Sequence, residues 1–200
     1  MSKKLLIATN NKGKVSELLA LLADLPTEVV LPEQLGLDLH VDEDGHTYAE
    51  NAAKKARAFA AAGGMIALAD DSGLEVASLD GAPGLYSARY HPKPGATDAD
   101  RRAYLLENLH GKPRPWTAHF HATVAVAGLD GLVQLADGDC PGEIIPEERG
   151  SGGFGYDPIF LLQEIGKTMA ELSAAEKNRL SHRARAINNA RSILSAMLEL

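Results

Sequence analysis

The sequence predicts an α/β fold. Three observations carry that reading. A short apolar strand, residues 5–9, passes through Asn10 and Asn11 into a helix with Val15, Leu18, Leu19 and Leu22 at helical spacing. Strand-like and helix-like segments then alternate along the chain, the pattern from which layered α/β structures are built. No internal repeat, low-complexity tract or linker interrupts them, so residues 1–200 read as a single domain, long enough for a sizeable core.

The remaining elements follow in order. Residues 28–31 form a second short strand, and residues 32–46 an acidic, glycine-containing connection. Residues 47–62 are Ala-rich and helical, with Lys54, Lys55 and Arg57 toward the end and Gly63-Gly64 as the stop. Residues 65–69 are a buried strand expected to end at Asp70-Asp71-Ser72-Gly73. Turn residues at 80–84 lead to a helix over 97–109, with Thr97 as N-cap and Asp98 and Asp100 in the first turn, where the helix dipole favours acid. Residues 117–126 alternate small or apolar side chains with His119 and His121, as a half-buried strand does. Gly128-Leu129-Asp130-Gly131 signals a hairpin, 132–136 the returning strand and 142–146 a further one. A strand at 159–162 precedes the longest helical pattern, 173–198.

Composition narrows the functional classes. A net charge of -7 argues against binding a nucleic acid polymer, because neutralising a phosphate backbone needs a basic surface. A polyphosphate needs only a few local cations and a metal. The one cysteine, Cys140, cannot form an internal disulfide, which fits a reducing cytoplasm. No signal peptide follows Lys3-Lys4, and no stretch approaches the ~20 apolar residues needed to span a bilayer.

Four groups of residues point to chemistry. The run Gly150-Ser151-Gly152-Gly153-Phe154-Gly155-Tyr156-Asp157-Pro158 is too rich in glycine for a structural segment, and its aromatic residues offer a stacking platform for a nucleobase. Alone it could also be a tight turn feeding the next strand. Thr9-Asn10-Asn11-Lys12-Gly13-Lys14 opens the first helix, where free N–H groups and the dipole attract anions and Lys14 adds charge; it lacks the spacing of a Walker A loop. Asp70 and Asp71 after an apolar strand are costly to bury unless paired or bound to a metal, and hard carboxylate oxygens suit Mg²⁺. Glu43, within Asp42-Glu43-Asp44-Gly45, is a candidate second ligand, although that stretch alone reads as a solvated loop. Lys177, Ser181, His182 and Arg183 gather donors that could read an acceptor such as a purine 6-oxo group. His119 and His121 share a strand face, but no further ligand motif completes a zinc site. Trp116 and Cys140 read as structural.

Together these segments resemble the inosine triphosphate pyrophosphatase family, most closely its bacterial branch, whose members hydrolyse non-standard purine nucleoside triphosphates. The resemblance runs from Thr9 to Arg183. It rests on Thr9, Asn11 and Lys14; Glu50-Asn51-Ala52 with Lys54-Lys55-Ala56; and Ala69-Asp70-Asp71-Ser72-Gly73-Leu74. It continues through Gly81-Ala82-Pro83-Gly84 with Tyr86-Ser87-Ala88-Arg89-Tyr90, then Gly152 to Pro158, and Ser181-His182-Arg183.

The resemblance implies an elongated, mixed-sheet α/β fold of two lobes with the nucleotide in the cleft between them, and a homodimer. It also implies Mg²⁺-dependent hydrolysis of dITP, ITP and XTP to the monophosphate and pyrophosphate, keeping these nucleotides out of DNA and RNA. By the same resemblance Asp71 would be general base and metal ligand, with Glu43 a second metal contact. Thr9, Asn11 and Lys14 would hold the triphosphate, Ser72 would touch substrate, and Phe154, Gly155, Tyr156, Asp157, Lys177, His182 and Arg183 would frame the base. Hypoxanthine and xanthine carry an acceptor at O6 where adenine carries an amino donor, and unpaired buried donors can cost ~10⁴ or more in discrimination. Two other readings remain at this stage: a nucleotide sensor without turnover, and a pyrophosphatase acting on other bases.

Overall fold

The computed structural model describes residues 3–200. Seven strands form one sheet in the order β2-β1-β3-β4-β5-β6-β7, the numbers following the chain. β1 (Lys4–Ile7) runs parallel to both β2 (Glu28–Val30) and β3 (Ala67–Val76), whereas β6 (Phe160–Leu162) is antiparallel to β5 (Val133–Ile144) and to β7 (Lys167–Thr168). The sheet is therefore mixed, as expected. The chain divides into two compact units: one ends at Asp71 and resumes over Ala122–Gly138 and Arg183–Leu200, the other comprises Ser72–His121 and Asp139–His182.

In the first unit, helices cover both faces of the parallel strands, which is why β1 reads as an unbroken apolar run instead of an alternation. Leu5, Ile7 and Leu68 pack with Leu18 and Leu22 of α1 (Lys12–Leu22) and with Ile187, Ala190 and Leu194 of α5 (His182–Leu198). Leu6, Ala8, Ala67 and Ala69 point the other way, onto Ala52, Ala56, Phe59 and Ala60 of α2 (Tyr48–Gly63). That second layer is mostly alanine on alanine, so helix and strands approach closely. Thr47 caps α2 by accepting from the Glu50 amide at 3.1 Å, and Gly64, with φ of 63°, ends it in the left-handed conformation that glycine adopts without strain.

The second unit packs Leu74, Val76, Trp116, Phe120, Ile144, Ile159 and Phe160 against Leu105 and Leu109 of α3 (Asp98–Leu109). Thr97 caps α3 as anticipated, and Asp100, one of the two first-turn acids, returns the bond.

Three elements differ from expectation. β3 does not end at Asp70-Asp71 but runs on to Val76, because nearby cations take the place of water around the two carboxylates. The strands expected at 132–136 and 142–146 are one strand, β5. Its buried positions from residue 136 onward include Ala136, Gly138, Cys140 and Gly142, too small to register as an apolar alternation. A side chain at Gly142 would meet the Leu161 carbonyl oxygen and the Phe160 ring at 2.6 Å. The long helix at 173–198 is two helices, α4 (Ala174–Leu180) and α5, broken at Ser181, whose backbone is extended (φ -67°, ψ 156°). Serine there holds the residue preceding α5, a position that serine favours.

Candidate active site

Two side-chain constellations stand out, one in each unit. The first gathers around Asp70 and Asp71 of β3. Asp70 is fully buried, and its Oδ2 receives Arg183 Nε at 3.1 Å and Nη2 at 3.0 Å, with Lys14 Nζ at 3.2 Å. The remaining nitrogen of Arg183, Nη1, donates to Glu17 of α1. Asp71 accepts from Asn51 Nδ2 at its Oδ2 (3.0 Å), and its Oδ1 lies 3.4 Å from Lys55 Nζ. That ammonium also donates to Glu43 Oε1 and to the Asp70 carbonyl oxygen, both at 2.7 Å.

The two neighbouring aspartates titrate in opposite directions. Burial pushes the Asp70 carboxyl up, but Lys14, Arg183 and Lys55 outweigh it and hold the group well below the usual carboxylate range. Burial raises Asp71 as well, and the Glu43 charge adds to that. The opposing pull of Lys55, Lys14 and Asn51 is too small to reverse it. Lys14 is lowered, chiefly by burial, with Lys55 and Arg183 repelling it. Lys55, which burial alone would lower, is raised by Asp71, Asp70 and Glu43. Asp70 is thus a fixed anion that anchors cations, while Asp71 is the more basic carboxylate of the pair.

Glu43 and Asp71 fit a divalent cation in one respect: a single ammonium reaches an oxygen of each. A Mg²⁺ ion commonly takes one or two protein carboxylates and completes its shell with water and phosphate oxygens. Among the described residues no three His, Cys, Asp or Glu side chains converge as a closed metal cage. An open, two-carboxylate site is the arrangement these donors can make. Asp42 lies apart, exposed and near His40 at 3.5 Å, as the solvated-loop reading had it.

Thr9 and Asn11 shape the start of α1. Asn11 caps the helix by accepting from the Lys14 amide at 3.1 Å, and Thr9 Oγ1 accepts from the Asn11 amide at 3.2 Å. This turn leaves α1 amides at a helix N-terminus beside the Lys14 ammonium, an arrangement that suits anions.

The second constellation is the glycine-rich loop. Phe154 is half-buried; its amide donates to Asp157 Oδ2 at 2.8 Å, and the same oxygen accepts from Lys177 Nζ at 2.5 Å. Lys177 Nζ lies 5.0 Å from the centre of the Phe154 ring. Gly153, with φ of +69°, is required: a Cβ there would stand 2.0 Å from Asp157 Oδ2 and 3.0 Å from Lys177 Nζ. Both sides of Gly155 are held by the start of α3, its amide donating to Asp98 Oδ2 (2.7 Å) and its carbonyl accepting from Arg102 Nη1 (2.9 Å). His182 stacks on Phe120 with ring centres 4.8 Å apart. Ser72, half-buried, continues β3 directly from Asp71.

The donors expected to gather here find their carboxylates far away in sequence. Lys177 pairs with Asp157, and Arg183 pairs with Asp70 and Glu17. Tyr156 is buried, with its hydroxyl donating to the Ser87 carbonyl oxygen at 2.9 Å, so its role here is to brace the loop. His119 lies 3.3 Å from Glu75 and His121 2.8 Å from Asp139. Trp116 and Cys140 sit in the core of the second unit.

Sequence reading gave no site role to Asn51, Lys55, Glu17, Asp98 or Arg102. For the first two a signal existed: Asn51 and Lys55 are four residues apart on the alanine face of α2, where an unpaired polar group would be costly.

Comparison with known proteins finds relatives aligned over nearly the whole chain. A dITP/XTP pyrophosphatase of Desulforamulus reducens is 47% identical over 97% of this chain and 96% of its own length. One of Geobacter sulfurreducens is 46% identical over 92% of each. The solved structure of a HAM1 protein from Coxiella burnetii matches with a TM-score of 0.87 at 38% identity, covering 97% of this chain and 99% of that one. The Ham1 protein of Staphylococcus aureus matches with a TM-score of 0.84 at the same identity and coverage. The sequence matches the Ham1 family over residues 5–193, and the chain belongs to that family.

Proposed function

We propose that this protein is a nucleoside-triphosphate pyrophosphatase that hydrolyses dITP, ITP and XTP to the monophosphate and pyrophosphate. The observation that carries the reading is the Asp70-Asp71 pair on β3, with Asp71 and Glu43 both reaching the Lys55 ammonium. Relatives bearing the name dITP/XTP pyrophosphatase, aligned over nearly the whole chain, support the substrate class.

Glu43 and Asp71 would hold a Mg²⁺ ion, which when bound would supply positive charge to offset the negative charge developing on the phosphate oxygens. The protein's own groups do the rest. Lys14 and the α1 amides, with Thr9 and Asn11 shaping their turn, bind the phosphates at a helix N-terminus. Asp71 accepts the proton of the attacking water, a task for which a carboxylate raised above its usual value is better suited. Asp70 stays ionised and holds Lys14 and Arg183 in place. Phe154 offers a ring face to the purine, Lys177 and His182 supply donors beside it, and Ser72 contacts the substrate next to Asp71. Arg183, committed to Asp70 and Glu17, acts on the carboxylate cluster and not on the base.

The enzyme would act as a homodimer in the cytoplasm. The dimer rests on the family resemblance alone, whereas a single buried cysteine suits a reducing compartment. No helix among the described residues is long and apolar enough to cross a membrane.

Pyrophosphate release from ITP, XTP, dITP, ATP, GTP and dUTP with Mg²⁺, for the wild type and Asp71→Asn, tests the whole reading. Release from the first three, lost in the variant, is the expected result. Equal turnover of all six sinks the purine discrimination but keeps the phosphate chemistry. Binding without turnover would make the protein a sensor.

A further inference from the structure

Asn51 is 1% exposed, and its carboxamide makes two hydrogen bonds of opposite polarity. Oδ1 accepts from the Gly45 amide at 2.8 Å, and Nδ2 donates to Asp71 Oδ2 at 3.0 Å. The orientation is not interchangeable. A backbone N–H has only a proton to give, so the oxygen must face Gly45 and the amino group the carboxylate. One side chain on α2 thereby joins Asp71 of β3 to the loop that carries Glu43, two residues before Gly45.

That loop is laid tightly on the helix. A Cβ at Gly45 would stand 2.7 Å from Asn51 Oδ1 and 2.8 Å from Glu50 Cβ. Glu50 Oε2 accepts from the His46 amide at 2.6 Å, and Lys54 and Lys55 reach Asp44 at 2.6 Å and Glu43 at 2.7 Å. The lysines are long and jointed, whereas the carboxamide is short and fixed at both ends. Of these contacts, only that of Asn51 sets the loop and an oxygen of Asp71 through the same rigid group.

We propose that Asn51 is a positioning residue of the reaction, fixing Asp71 and the Glu43 loop in one geometry, with Asp71 Oδ1, beside the Lys55 ammonium, as the oxygen that meets the attacking water. This assignment rests on the hydrolase reading above. Without the Nδ2 donor the carboxylate turns about its Cβ–Cγ bond, and misplacing a reacting group by about 1 Å can cost on the order of a hundredfold in rate.

Two variants separate this role from simple core filling. Asn51→Asp keeps the size and the acceptor for Gly45 but replaces the donor to Asp71 with a like charge; Asn51→Ala removes both bonds. The measurements are the thermal midpoint, kcat and KM for ITP, and calorimetric titration of the nucleotide-free protein with Mg²⁺ alone. Asn51→Asp should stay folded with kcat down by about 10- to 100-fold, the range typical of groups that orient a metal ligand, and with KM unchanged. Asn51→Ala should also bind Mg²⁺ more weakly. A wild-type kcat in a folded variant removes the Asp71 half of the assignment, as does a loss confined to KM. Unchanged Mg²⁺ affinity in Asn51→Ala removes the Glu43 half. A wild type that releases no pyrophosphate fails the hydrolase reading first and takes this assignment with it.

Discussion

Arg183 places two nitrogens, Nε and Nη2, on the same oxygen of Asp70, at 3.1 and 3.0 Å, with both side chains almost wholly removed from solvent. Breaking a buried pair by removing one partner leaves an uncompensated charge and costs about 3–5 kcal/mol. Lys14 remains on Asp70, so Arg183→Met should destabilise the protein by up to that amount in urea unfolding. Arg183→Lys, which keeps the charge but cannot place two nitrogens on the oxygen, should lose less. Equal stability of Arg183→Met and wild type would show that the pair adds nothing to the fold.

Asp70 and Asp71 should separate in acid. The folded pKa of Asp70 lies below its ordinary 3.8, so the stability it contributes is fully present above pH 3.8 and is lost as pH falls through the folded value. Asp71 is displaced upward, so its ionised form is disfavoured by the fold and it takes up its proton above pH 3.8. Carboxyl ¹³C titration of the metal- and nucleotide-free protein, assigned with Asp71→Asn, should show one carboxyl on each side of 3.8. Co-titration of the pair would contradict the described environment.

Gly153→Ala should act on base binding. Its Cβ would press on Asp157 Oδ2 at a backbone angle that alanine tolerates poorly, displacing the contacts to the Phe154 amide and Lys177. Losing such a buried interaction costs about 1–3 kcal/mol, on the order of tenfold or more in KM for ITP. An unchanged KM would detach the loop from substrate binding.

The start of α3 offers a subtler test. Asp98→Ala frees the Gly155 amide while touching neither Phe154 nor Asp157. KM for ITP should rise by about fivefold, the equivalent of one hydrogen bond of ~1 kcal/mol, with kcat retained. A fall in kcat alone would place Asp98 in the chemistry instead.

Local physics explains what was legible in the sequence. Strand β1 announces itself as an unbroken apolar run, and the cap at Thr97 and the glycine stop of α2 because each depends on a residue type at one position. β5 was hidden because Ala136, Gly138, Cys140 and Gly142 bury little apolar surface and so leave no alternation to read. The break between α4 and α5 lacks glycine or proline, so nothing in the pattern marks Ser181. Asp71, Glu43 and Lys14 were readable as chemistry-bearing side chains, but their environments were not. The groups that shift Asp71 and Lys14, among them Asn51, Lys55 and Arg183, come together only when separate segments fold.

The alanine layer under α2 has a consequence for drift and design alike. Ala52, Ala56 and Ala60 act as a thin gasket against Ala67, Ala69, Ala125 and Ala127, and gasket thickness sets how far every side chain on that helix must reach. Adding a single methyl group there would lift Asn51 and Lys55 together, detuning the site from positions that never touch a ligand. The dullest residues of this chain are among its least replaceable.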